Sequence, residues 1–183
     1  KSSVGILLYG LKGLGKSFTA NILSQKVNIP IIKITSGVNK DAGLIDFLNG
    51  IEQDHVVFID EFEKIFPAKA SEEGDNLSQE AFLSYLDGSS SSKYKKMFII
   101  TSNEEVNKYF INRPTRLRYV RPYTSLSMEV IKEIIEDKLV NKDFLDDIIS
   151  NIDPSSLNID NLIKIIEEVN IHNKPYSTFK DFF

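Results

Sequence analysis

Hydrophobic and polar positions fall into two textures along this chain. Up to about residue 123, short apolar runs of strand length recur between amphipathic stretches. The runs are VGILLYG (4–10), IIKIT (31–35), HVVFID (55–60) and MFIITS (97–102), with RYVRPY (118–123) as a more polar fifth. Unbroken apolar runs of this length predict strands covered on both faces, as in a parallel sheet. Between them, KSFTANILSQKV (16–27) spaces Phe18, Ile22, Leu23 and Val27 at helical intervals. DAGLIDFLNGI (41–51) predicts a helix stopped near Gly50, and EAFLSYLDG (80–88) predicts another. Residues 68–79 and 89–96 are polar and predict a loop and a turn. Strands alternating with helices predict an α/β fold, an αβα sandwich around a five-stranded parallel sheet.

After Tyr123 the period changes. LSMEVIKEIIEDKLV, KDFLDDIIS and NIDNLIKIIEEV are three amphipathic helical patterns with no strand between them. Ile131, Ile134, Ile135 and Leu139 share one face, and Leu162, Ile166 and Val169 share another. The expected organisation is an αβα domain over 1–123, a small helical subdomain over 124–175 and an aromatic-rich tail over 176–183.

Composition narrows this modestly. The chain has 183 residues, a net charge of −4 and no cysteine, which excludes disulfides and thiolate metal sites. An acidic balance does not point to nucleic acid, although a local basic face is compatible with it. No apolar run reaches the length of a membrane span and no signal peptide is visible, so a cytoplasmic location is expected. The start at Lys-Ser-Ser reads as a piece of a longer protein, leaving an upstream anchor or targeting segment open.

The first candidate chemistry is GLKGLGKS, comprising Gly10, Leu11, Lys12, Gly13, Leu14, Gly15, Lys16 and Ser17. It follows a predicted strand and opens a predicted helix, the setting in which G-x-x-x-x-G-K-[ST] cradles phosphates. Its backbone N–H groups would face phosphate oxygens, Lys16 would reach the β- and γ-phosphates, and the Ser17 hydroxyl would ligate Mg²⁺. The bland alternative is a glycine-rich turn with a solvated lysine. The second is Asp60 and Glu61, at the carboxyl end of the third strand, where ligands of open parallel sheets sit. Asp60 would hold Mg²⁺ and Glu61 would polarise an attacking water; alternatively the pair is only an acidic helix start. Asn103, after the fourth strand, offers an amide that both donates and accepts, and would serve the γ-phosphate and that water, or cap a following helix.

Four arginines, Arg113, Arg116, Arg118 and Arg121, stand within residues 111–121, and every other member of the 22 Lys and Arg is lysine. Arginine differs from lysine by its flat five-donor fork, which grips phosphate bidentately. His55 and His172 lack metal partners at ligand spacing and are expected to be surface or satisfied histidines. KYKK (93–96) is expected to be a solvated turn.

Together GLKGLGKS, VVFIDE, FLSYLDG, MFIITSN and NRPTR resemble the AAA+ ATPase family over essentially the whole chain. Their order is similar to the branch in which Leu-Asp-Gly, Thr-x-Asn and Arg-Pro-Gly-Arg recur, above all the mitochondrial membrane-anchored translocase type and related phage ATPases. The resemblance implies a P-loop NTPase αβα sandwich followed by a helical lid. It implies that Gly10 to Ser17, with Phe18 next to them, bind ATP, that Ser17 and Asp60 hold Mg²⁺, and that Glu61 is catalytic with Asn103 as its sensor. It further implies a homo-oligomeric ring, expected to be a hexamer, in which Arg113 and then Arg116 reach a neighbour's nucleotide. Arg118 and Arg121 are left as strand or interface charges. Thr115 replaces the family's glycine, and Arg118 stands where aspartate is usual. Residues 35–45 contain no aromatic, which departs from polypeptide-threading members, and the lid holds no arginine, leaving Lys164 as a weak stand-in or a solvated helix lysine.

The leading expectation is a Mg²⁺-dependent ATPase ring that remodels a protein or protein complex. The alternatives are a nucleic-acid machine of the same fold, such as a helicase or clamp loader, and a nucleotide-dependent switch with little turnover.

Overall fold

Five strands form one sheet in the order β2-β3-β4-β1-β5. They are β1 (Ser3–Gly10), β2 (Ile31–Ile34), β3 (His55–Ile59), β4 (Lys96–Ser102) and β5 (Tyr119–Tyr123). The structure, a computed structural model, describes residues 3–35, 42–66, 79–88, 92–104 and 117–182. The pairs β2–β3, β3–β4 and β4–β1 are parallel. Every residue of β3 is buried, as its unbroken apolar run requires of a central strand. β2 lies at the sheet edge, and Ile31 there is exposed.

The chain falls into two compact units, Lys1–Gly10 with Lys16–Pro122, and Leu11–Gly15 with Tyr123–Phe183. In the first, α1 (Lys16–Lys26), α2 (Ala42–Asn49), α3 (Phe62–Ile65) and α4 (Gln79–Gly88) accompany the sheet. The spacing of Phe18, Ile22 and Val27 predicts a helix correctly, but these residues are exposed. The buried face of α1 is Lys16, Ala20 and Ser24. One turn apart, these residues keep the opposite side free for the larger apolar groups, and only a small residue fits at Ala20, which has no exposed surface.

The short helix α3 was not legible in the periodicity. Its anchor is an aromatic cluster: Phe62 lies 4.9 Å from Phe66 and 5.7 Å from Phe82, and Phe82 and Tyr85 both meet Phe98 edge-on. Phe62 is 1 % exposed, worth about 1.5–3 kcal/mol of burial. It fixes the segment that carries Glu61 and Glu63 on either side of it.

The second unit contains α5 (Met128–Lys138), α6 (Leu145–Asn151) and α7 (Ile159–His172). Its core is Ile131, Ile135, Leu139, Ile148, Leu162, Ile165, Ile166 and Val169, matching the apolar faces expected from the sequence. Ser127 caps α5 by accepting from Val130 N, and Asn158 caps α7 by accepting from Asn161 N at 2.8 Å. Lys142 Nζ covers the open carbonyls of Glu136 and Leu139 at the end of α5. In the tail, Tyr176 is buried against the same core and Ser177 N donates to Asp147 Oδ2 at 3.0 Å. No helix among the described residues is long and apolar enough to cross a membrane.

Leu11–Gly15 belongs to this second unit. Leu11 N donates to Tyr123 O at 2.9 Å, Ile159 N donates to Gly13 O at 3.0 Å, and Leu14 is part of the core. Gly13 has φ +78°, and a Cβ there would meet Asn158 Cβ at 3.0 Å. Both the backbone and the space therefore demand glycine.

Candidate active site

The strand order sets the carboxyl ends of β1, β4 and β3 side by side. Tyr9 is level with Ser102, and Ile59 with Ile100. Residues at or just beyond the ends of these three strands therefore share one edge of the sheet. Gly10, Asn103 and the Asp60–Glu61 pair occupy those positions.

Asp60 Oδ1 accepts two hydrogen bonds of 2.7 Å, one from Ser17 Oγ and one from Thr101 Oγ1. Thr101 Oγ1 in turn accepts from Glu61 N at 2.9 Å. One hydroxyl at the end of β4, 1 % exposed, thus fixes both the Asp60 carboxylate and the Glu61 backbone. Lys16 is buried and its Nζ donates to Gly10 O at 2.8 Å, folding the ammonium back over the end of β1. Burial holds its pKa below the ordinary lysine value, while the charges of Glu63, Asp60 and Glu61 pull the other way.

Glu61 has φ 55° and ψ 58°, the left-handed region, which costs a non-glycine residue about 1–3 kcal/mol and concentrates at working sites. Its Oε1 accepts from Asn103 Nδ2 at 3.2 Å and its Oε2 pairs with Lys64 Nζ at 2.7 Å. The same Asn103 Nδ2 donates to Glu63 Oε1 at 3.0 Å. The turn after β4 is capped instead by Ser102, whose Oγ accepts from Glu104 N at 3.2 Å.

The structure thus brings Lys16, Ser17, Asp60, Glu61 and Asn103 to one edge, and adds two residues that sequence reasoning misses. Thr101 carries a weak signal, a hydroxyl inside an otherwise apolar run. Glu63 carries none, because acidic residues are ordinary at a helix start. The Ser17 hydroxyl and Asp60 carboxylate, in direct contact, are hard oxygen donors of the kind Mg²⁺ takes. Of the other cradle residues, Leu11 and Phe18 are exposed at 55 % and 70 %, Lys12 is exposed, and Leu14 is buried in the second unit. Arg113 and Arg116 lie outside the described residues, as do 36–41 of the 35–45 segment. Arg118 and Arg121 are exposed, Arg121 on β5 and Arg118 just before it. Lys164 is exposed on α7.

Two expectations are corrected. His55 is not at the surface: it is wholly buried, with Nδ1 against Gln53 O at 2.8 Å and Nε2 without a partner among the described residues. Lys96, the last residue of KYKK, is not solvated: it starts β4, is 3 % exposed, and donates to Leu48 O and Tyr85 OH. A strand that begins inside the sheet carries its first side chain into the core, whatever its charge. His172 is exposed and pairs with Glu168 at 3.2 Å.

A lysine-bearing glycine loop between strand and helix, with a hydroxyl–aspartate pair and a glutamate beyond it, defines a P-loop ATPase that uses ATP with Mg²⁺. Residues 6–121 match the ATPase family associated with various cellular activities (AAA), and the chain belongs to that family. Among curated proteins it is 40 % identical over 62 residues to the Holliday junction branch migration complex subunit RuvB of Acholeplasma laidlawii, covering 33 % of this chain and 18 % of the relative. It is 37 % identical over 65 residues to the same-named subunit of Aliarcobacter butzleri, covering 34 % and 19 %. The chain therefore spans under a fifth of these relatives. Among solved structures, the Thermotoga maritima RuvB Holliday junction branch migration motor superimposes with a TM-score of 0.62 at 18 % identity, covering 91 % of this chain and 54 % of that one. That likeness is one of fold.

Proposed function

We propose that this chain is the ATPase part of a ring-forming motor that works on nucleic acid, hydrolysing ATP to ADP and phosphate. The observation that carries the hydrolytic half is the shared bonding of Thr101, Asp60 and Glu61, in which one hydroxyl holds the Asp60 carboxylate and the backbone N–H of Glu61. In this reading Gly10 to Phe18 hold the nucleotide, and Ser17 and Asp60 would hold Mg²⁺, which supplies neutralisation of the phosphate charge. Glu61 polarises the attacking water, Asn103 orients Glu61, and Arg113, followed by Arg116, acts on the neighbour's nucleotide. Residues 124–175 serve as the lid.

The nucleic-acid half rests on the local identity to a branch migration subunit, against an overall charge of −4. Exposed Lys93, Lys95, Arg118 and Arg121 supply local positive charge despite that balance. Preference therefore passes from protein remodelling, favoured by the motif order alone, to a nucleic-acid motor. The test is the ATPase rate against protein concentration, with and without four-way-junction DNA, at rising salt. The rate per chain should climb with concentration, DNA should stimulate it, and stimulation should fade with salt. Concentration dependence with no DNA effect at low salt would return the reading to protein remodelling. Mixing inactive Lys16→Ala and Arg113→Ala chains should restore some activity if Arg113 works in trans; no recovery in demonstrably mixed rings removes that assignment.

A further inference from the structure

Asn103 holds two carboxylates, not one. Its Nδ2 donates to Glu63 Oε1 at 3.0 Å and to Glu61 Oε1 at 3.2 Å, which uses both amide hydrogens. With the amide turned over, its oxygen would face two anions, so this orientation is enforced and Oδ1 points away from the carboxylates. Glu61 is meanwhile drawn by Lys64 on its other oxygen. Glu63 Oε2 is buried and has no hydrogen-bond partner among the described residues.

We infer that Glu63 is a positioning residue for hydrolysis: it locks the Asn103 carboxamide, and through it holds Glu61 against the pull of Lys64. The inference rests on the proposed roles of Glu61 and Asn103. It acts on turnover rather than on ATP binding. With only a neutral acceptor at position 63, the hold on Asn103 weakens and Glu61 follows Lys64 outward.

Glu63→Gln tests this, because it keeps size and reach and removes the charge, leaving Asn103 only a neutral acceptor. Hydrogen bonds to charged groups set the expected scale, and kcat should fall roughly tenfold with KM for ATP within about twofold of the parent. In an Asn103→Ala background, followed by single-turnover assays that reach slow rates, Glu63→Gln should add nothing further. A residue that merely supports the fold would lower the melting temperature and give the same loss in both backgrounds. Parent-like kcat in Glu63→Gln, or equal losses in both backgrounds, overturns the inference. Glu61→Gln run alongside separates the two layers. If it is inactive while Glu63→Gln is normal, only the inference falls. If Glu61→Gln still turns over, the site reading falls and the inference with it.

Discussion

Thr101→Val removes one oxygen and leaves the shape of the side chain almost unchanged. The oxygen donates to Asp60 at 2.7 Å and accepts from Glu61 N at 2.9 Å, at a residue 1 % exposed. Loss of the first removes a bond to a charged group, worth about 1.5–3 kcal/mol, and loss of the second leaves a buried N–H unsatisfied at about 1–3 kcal/mol. Valine recovers about 0.8 kcal/mol through its extra buried methyl. Ser17 still donates to Asp60, which limits the damage. The net expectation is a destabilisation of about 2–4 kcal/mol, which for a chain of this size lowers the melting temperature by roughly 5–12 °C. The assay is thermal unfolding by circular dichroism, with Thr101→Ser as the companion. Serine keeps the hydroxyl and loses one methyl, so it should cost only about 1 kcal/mol. A valine variant that melts with the parent, or a serine variant that melts with the valine one, would refute the claim that this hydroxyl ties Asp60 to Glu61.

Gly13→Ala should destabilise the second unit by about 1–3 kcal/mol, measured by urea unfolding, because φ is +78° and the new Cβ would meet Asn158 at 3.0 Å. Lys16→Ala should lose micromolar ATP binding in equilibrium titration while keeping the parent's far-ultraviolet spectrum. Burial raises the Tyr85 phenol to about 12, so its neutral form is the one the fold holds. It therefore contributes stability that is full below pH 10 and lost as pH rises toward 12. Absorbance titration should show a tyrosine ionising near pH 12 that is absent in Tyr85→Phe, beside Tyr176, which burial also raises.

Legibility followed physical periodicity. The helices of the second unit were readable because Ile131, Ile135, Leu162, Ile166 and Val169 repeat at the helical period and are the residues buried. In α1 the period was right and the face was wrong: the helix packs through Lys16, Ala20 and Ser24, and a pattern of large apolar residues cannot report a face made of small and polar ones. Lys96 and His55 look like surface residues in sequence and are level with each other on buried β4 and β3. The glycine loop was legible because Gly10, Gly13 and Gly15 all take positive φ. Thr101 and Glu63 were not, because their contacts with Asp60, Glu61 and Asn103 exist only once β3 and β4 pair. The grouping of Leu11–Gly15 with residues 123–183 had no sequence signal, since it rests on backbone bonds to Tyr123 and Ile159.

Glu61 is proposed to drive hydrolysis at a nucleotide site built from Lys16, Ser17 and Asp60. The direct measurement is ATP binding and ATP turnover side by side in Glu61→Gln, which keeps size and hydrogen bonding while removing the charge that polarises water. Binding of Mg²⁺–ATP equal to the parent, with turnover lost, is the predicted result. Turnover at the parent rate would contradict it and place the catalytic base elsewhere.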